Sequence, residues 1–424
     1  MLLSGMKRGA LALMAGAALA VAGLTQPAGA QEPVKIGVLG PMAFVQGENH
    51  WQGATLAAEE INKRGGFNVG GELRPVELVK VDTNEMLSVP DATNAIERAI
   101  VRDEVDFLTG GFRSEAVLAM QDIAMDHEVI FLGAGAAHDK LGANVEEDYE
   151  RYKYWFRISP FKSSDLGREL FAIFGEVAGQ IREETGVQKP KVALLAEKAV
   201  WVEALLGAAK QYLPQMGMEI VGTWQPSPTA TDVTGELSAI KREGAHIIMT
   251  MISGPMGIVM ARQMGELEIP AVPFGINVEA QKDGFWEATD GKGNYVSTIN
   301  TYGDVKITGE TLPFVNTFRE RFGTTPTYTA ATYDAIYLLK DAVEKGMTLD
   351  SDKLVPIIER SDTVGTASRL AFDERHDPLF HPRFGTGLGV QWQDGELVEF
   401  WPNGWKGVTY EGMQPFKLPP NMKK

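Results

Sequence analysis

From residue 34 onward, short apolar runs alternate with longer stretches whose apolar residues recur every three or four positions. That rhythm predicts strands and helices in turn. The run "VKIGVLG" (34–40) predicts a buried strand. In 49–64, Trp51, Ala54, Leu56, Ala57 and Ile61 follow helical spacing until Gly65-Gly66 ends the helix. A strand is expected at 75–81, then a helix from Ser88, a suitable N-cap with Pro90 in the first turn, to about 102. Strands at 105–109 and 129–132, with a helix from Ser114 between them, continue the pattern.

After a linking strand at 154–158 the rhythm restarts. Strands are expected at 191–195, 219–224, 246–251 and 271–275, and helices at about 165–184, 201–216, 232–243 and 256–266. Alternation of this kind implies parallel sheets with helices on both faces. The chain therefore reads as two successive open α/β units of similar size, with no exact sequence repeat relating them. Near the end, 386–393 and 397–401 flank "DGE" (394–396), the signature of a hairpin with an Asp-Gly turn. Residues 415–424, rich in Pro and Lys, predict an extended tail.

The first thirty residues follow different rules. Lys7 and Arg8 precede an apolar stretch from about 10 to 24, and Ala28-Gly29-Ala30 is an A-x-A cleavage site. This is the pattern of a cleavable secretory signal, cut after Ala30, and it implies a periplasmic protein. No cysteine follows the site, which excludes a lipid anchor there. The rest of the 424-residue chain exceeds what one hydrophobic core usually supports, so two domains are expected. The formal charge is −16, and removal of Lys7 and Arg8 makes it more negative, which argues against nucleic acid and anionic lipid as partners. With no cysteine, disulfides, thiolate zinc sites and cysteine nucleophiles are excluded together.

One loop raises the possibility of an enzyme. In "FLGAGAAHDKL" (131–141), Gly133 and Gly135 begin a G-x-G-x-x-G pattern, but His138 stands where the third glycine belongs. A dinucleotide fingerprint also belongs in the first βα turn, with an acidic residue ending the next strand. Here the loop follows the fourth strand, and "EEDYERYK" (146–153) reads as a charged loop. No G-x-S-x-G elbow, P-loop or H-E-x-x-H occurs. His376 and His381 are expected in a polar loop. No catalytic residue, metal site or cofactor is expected.

The residues do carry a resemblance. "VKIGVLGP" (34–41), "QGATLAAEEINKRGGF" (52–67), "VELVKVDTN" (76–84), "VDFLTGGFRSEAVLAMQDIA" (105–124), "YWFRISP" (154–160) and "FRERFGTTPTYTAATYDAIYLL" (318–339) come in that order. The chain resembles the periplasmic solute-binding proteins of branched-chain amino-acid ABC transporters, the Leu/Ile/Val-binding type, over nearly all its length beyond residue 30. The resemblance implies a type I periplasmic binding fold: two doubly wound, Rossmann-like α/β lobes joined by a three-crossing hinge, with a ligand between them. By the same resemblance, one lobe holds 31–161 and 302–380 and the other 162–301 and 381–424. The implied function is capture of a small amino acid, or a related carboxylate or amide, by hinge closure. The implied partner is an ABC permease in the inner membrane, and a monomer is expected. A periplasmic sensor of the same fold and a periplasmic enzyme on a doubly wound fold are the alternatives.

The resemblance also implies site residues. Ser114, at a helix start after a parallel strand, matches a ligand-binding serine; a simple N-cap is its structural alternative. Gly135 falls on a position whose carbonyl meets the ligand ammonium, and Ala137 falls where Thr or Ser is usual, leaving only a backbone N–H. Trp201 matches an aromatic that covers the ligand, or else is a core tryptophan. Asn277 stands where amino-acid binders carry an acid, with Glu279 two residues on. Gln46, in a short 43–47 loop, and Tyr328 match further cleft positions. Arg113 could grip a carboxylate bidentately, or be an exposed arginine. The losses at Ala137 and Asn277 point away from an ordinary α-amino acid, toward a carboxylate or amide without an α-ammonium, particularly if Arg113 or His138 enters the cleft.

Overall fold

The structure, a computed structural model, describes residues 31–423. The expected signal segment and its expected cleavage after Ala30 lie outside the described residues. Two sheets organise the chain. The first has five parallel strands in the order Val76–Asp82, Val34–Gly40, Phe107–Gly110, Phe131–Gly133, Trp155–Arg157. Its central strands are buried on both faces, which explains their unbroken apolar runs.

The second sheet begins Glu219–Trp224, Lys191–Ala196, Ile247–Ile252, Val272–Asn277, Ser297–Asn300, again parallel. An antiparallel hairpin, Leu388–Gln393 and Glu396–Trp401, completes its edge. Counted along each unit, the parallel strands of both sheets lie in the same order, 2-1-3-4-5. In such sheets the crevice forms beyond the strand C-termini, where strands 1 and 3 send their connections to opposite faces. In the first unit those strands are Val34–Gly40 and Phe107–Gly110.

The cores show which later segments belong with which sheet. Ala335, Ile336 and Leu339 of helix Thr332–Gly346, with Leu354 and Ile358 of helix Ser351–Glu359, pack into the core of the first sheet. Leu170, Ile173, Phe174 and Ile181 of helix Ser163–Thr185 pack with Phe274 and Trp401 of the second. A separate cluster around Leu237, Met256 and Met260 covers the second sheet's other face. The chain thus passes between the two bodies after Arg157, after Asn300 and before Leu388.

Three local expectations change. The first long helix is Val45–Asn62, so the segment holding Gln46 is helix and not loop. Residues 146–153 are also largely helical, in Lys140–Glu147 and Tyr149–Tyr152, because Leu141 and Val145 are buried on one side of an otherwise charged segment. His376 is buried, stacked on Phe156 at 4.0 Å and hydrogen-bonded to Trp155 O at 2.8 Å and Glu359 at 3.1 Å. The Asp394-Gly395 turn has φ of 55° and 95°, the two positive values a type I′ hairpin needs. Ser88 caps its helix, accepting from Asp91 N–H at 3.2 Å. The C-terminal segment docks on the second sheet: Gln391 exchanges bonds of 2.9 Å with both backbone polar groups of Lys417.

Candidate ligand-binding cleft

A cavity lies between the two bodies. Six of the expected residues line it: Arg113, Ser114, Gly135, Ala137, Trp201 and Tyr328. All three passages contribute as well, through Ser159-Pro160-Phe161, Asn300-Thr301 and Gly387. Its polar content is small beside an apolar and aromatic wall that includes Phe112, Leu166, Ile276 and Ile299. Open space for the centres of water molecules amounts to about 80 Å³, room for several waters or a small organic molecule.

Ser114 opens the helix Ser114–Asp126, with Arg113 at the cap position and no side-chain cap. The Ser114 hydroxyl is therefore not spent on its own helix. It accepts from His138 N–H at 3.3 Å, which ties the 133–138 loop to the helix start and leaves the O–H proton to donate. The helix N-terminus adds unsatisfied N–H groups and a partial positive charge, the combination that suits a carboxylate. Gly135 brings this loop against 111–112: a Cβ there would lie 2.3 Å from Gly111 O and 2.9 Å from Phe112 Cα. Close backbone packing is thus the immediate reason for the glycine. The Ala137 carbonyl accepts from Ser163 N–H at 2.7 Å and its hydroxyl at 3.0 Å, which turns it toward the second body.

Arg113 is buried and not free for a ligand. It pairs with Glu115 and donates to Glu197 at 3.3 Å from the other body. Glu197 is fully buried and gathers Trp201 Nε1 at 3.0 Å, Ser253 N–H at 2.8 Å, Gly254 N–H at 3.0 Å and the Ser253 hydroxyl. The backbone N–H groups of Phe112 and Arg113 are also occupied, by Glu85 at 3.1 and 2.9 Å. Burial pushes the Glu85 carboxyl up to about 7 against the lowering pull of those bonds and of Thr83. His138 does not line the cavity. Its ring accepts from Lys140 N–H at 3.0 Å, and burial lowers its pKa.

Two expected residues lie off the cavity. Asn277 is fully buried beneath helix Met256–Glu266, where its amide donates to Gly257 O at 3.2 Å; Gly257 has no side chain because that amide fills the space. Gln46 instead bridges the bodies, donating to Ser253 O and to Glu279, each at 3.3 Å. Glu279 is further held by Lys282. Tyr328 stacks with Phe112 across 6.4 Å, and Thr325 nearby bonds Asp283 of the second body at 2.6 and 2.7 Å.

The sequence reading missed the acids of the site. Glu85 and Glu197 bind the loops together from behind. Asp334 lines the cavity but accepts three bonds from Thr366, and burial raises its pKa to about 6. Glu169 lines it with no partner for its buried Oε1 among the described residues. One signal was available for Glu169: it sits in the stripe Leu166, Glu169, Leu170, Ile173, a carboxylate on an apolar helix face one turn after Asp165, which Lys162 and Arg168 pair.

The comparisons with known proteins agree with this architecture. A family model described as periplasmic binding protein matches residues 33–382. A Leu/Ile/Val-binding protein homolog of Brucella abortus is 21% identical over 399 residues, covering 91% of this chain and 96% of its own. Among solved structures, the branched-chain amino-acid transporter binding protein LivJ of Streptococcus pneumoniae, in complex with isoleucine, superposes with TM-score 0.71 at 20% identity, over 86% of this chain and 98% of that one. A solute-binding protein of an R. palustris ABC transporter, in complex with benzoate, does so with TM-score 0.70 at 19% identity, over 92% and 99%. This chain belongs to the periplasmic binding protein family and has the type I, two-lobed fold of its Leu/Ile/Val-binding branch.

Proposed function

We propose that this protein is the substrate-binding component of an ABC importer, exported to the periplasm, and that its ligand is a small carboxylate with an apolar or aromatic body. In this reading the lobes are 31–161 with 302–380 and 162–301 with 381–424. They close on the ligand about the three passages, and a membrane permease receives the closed form. Binding and closure are the whole mechanism; no bond is made or broken.

One observation carries the reading: an uncapped helix N-terminus with the Ser114 hydroxyl faces a cavity walled by Trp201 and Tyr328 from different segments of the chain. A carboxylate placed there gains fixed donors while its body leaves water. An acid without an α-ammonium fits better than an α-amino acid. Asn277 points away under its helix, and Glu279 is occupied by Lys282 and Gln46. The relatives span both chemistries, with isoleucine in one structure and benzoate in another.

Isothermal titration with leucine, isoleucine, benzoate and branched aliphatic acids tests this. At least one simple acid should bind more tightly than either amino acid, and Ser114→Ala should weaken it by tenfold or more, about the worth of one hydrogen bond to a charged group. Tighter binding of leucine than of every acid overturns the ligand class. Unchanged affinity in Ser114→Ala overturns the site.

A further inference from the structure

Glu169 is 1% exposed, and its Oε1 is buried without a hydrogen-bond partner among the described residues. A polar group left so is costly unless something else satisfies it. Asp334, the other acidic residue on the cavity wall, is fully engaged by Thr366. The fold also makes room for Glu169. Gly387, at φ 75°, sits so close that a Cβ would fall 2.3 Å from Oε1 and 2.6 Å from Oε2. Gly387 immediately precedes the strand Leu388–Gln393, so this carboxyl lies at the hinge side of the cavity, on a different body from Ser114.

Resting on the reading above, we propose that Glu169 is a second polar anchor of the cleft, and that it selects a carboxylate ligand bearing a hydroxyl remote from its carboxylate. The cavity then has two polar ends and an apolar middle. Ser114 and its helix hold the carboxylate; Glu169 exchanges hydrogen bonds with the hydroxyl. Burial alone pushes the Glu169 pKa well above the usual carboxylate range, which favours the protonated form, one that can both donate and accept. A neutral hydroxyl matches it. An ammonium would require a buried ion pair with further acceptors for its remaining protons.

Titration of the full-length mature protein with benzoate, its meta- and para-hydroxy derivatives and para-aminomethylbenzoate tests this. One hydroxybenzoate should bind the wild type about tenfold more tightly than benzoate, the effect of satisfying one buried polar group. Glu169→Leu should abolish that preference, bringing the hydroxybenzoates and benzoate to within about twofold of one another in the variant, and Glu169→Gln should retain it. The ligand-free Glu169→Leu protein should melt no lower than wild type, since an apolar side chain replaces an unpartnered acid. A preference that survives Glu169→Leu, a lower melting point in that variant, or tightest binding of para-aminomethylbenzoate overturns the role of Glu169 alone. If no member of the series binds the wild type, the acid-binding reading fails and the proposal fails with it.

Discussion

Nη1 of Arg113 donates to Oε1 of Glu197 at 3.3 Å, joining the loop that precedes Ser114 to the loop that precedes Trp201. Both side chains are almost wholly withdrawn from water, at 7% and 0% exposure. The pair is one contact of a larger knot, because Glu197 also organises Trp201, Ser253 and Gly254.

Glu197→Ala leaves those donors buried and unmatched. It should lower unfolding free energy by about 3–5 kcal/mol, the cost of breaking a buried ion pair from one side, and weaken ligand binding more than tenfold. Urea denaturation and titration calorimetry check both. Glu197→Gln keeps an acceptor and should lose less on each measure; equal losses would place the effect outside hydrogen bonding.

Glu85 predicts a pH dependence. Its folded pKa of about 7 lies above its ordinary value of 4.5, so the native state binds the proton more tightly than the unfolded state. The stability it contributes is complete below about pH 4.5 and is lost as pH rises toward about 7, roughly 3 kcal/mol in all. Asp334 acts in the same direction. His50, lowered by burial to about 4, acts oppositely, losing stability as pH falls from 6.5. Glu85→Gln should therefore make unfolding free energy fall less between about pH 5 and about pH 7 than in wild type. An unchanged slope rules out Glu85 as its source.

Gly135→Ala should be destabilising by about 1–3 kcal/mol, the usual range for forcing atoms into a packed site. The added methyl must displace the Gly111-Phe112 backbone, and that backbone leads directly into Ser114. Ligand affinity should fall with stability. A stable variant with unaltered affinity would show that the two loops can separate without disturbing the helix start.

Gly395→Ala separates fold from function. At φ 95° an alanine is strained, and the change should cost about 1 kcal/mol in thermal unfolding. The turn lies at the far end of the hairpin from Gly387, so affinity should be unchanged. A weaker ligand would mean that the hairpin edge transmits to the hinge.

Much of this protein was written locally in its sequence. Alternating apolar runs and helical stripes set the order and type of most of the principal strands and helices up to Asn277, because burial on both faces of a parallel sheet requires continuous apolar segments. They did not announce the strand Ser297–Asn300 or the helix Ser351–Glu359, and they made a loop of 146–153. Asp394-Gly395 specified its own turn, and Ser88 its own cap. The convergence of Ser114, Ala137, Trp201 and Tyr328 was legible through resemblance; the first three each follow the C-terminal end of a parallel strand, whereas Tyr328 comes from the segment between two late helices.

Tertiary structure decided where side chains point. Asn277 and Gln46 stand at positions that suggested the cleft, yet the absence of a side chain at Gly257 draws one under a helix, and Ser253 with Glu279 draws the other into a bridge between bodies. Arg113 carries the right charge for a carboxylate, but Glu115 and Glu197 claim it. Glu169 shows the reverse case: an acid in an apolar stripe whose isolation exists only because a glycine more than two hundred residues later leaves space beside it. Periodicity reports burial within one element. Whether a buried polar group is satisfied depends on partners the fold brings from elsewhere in the chain.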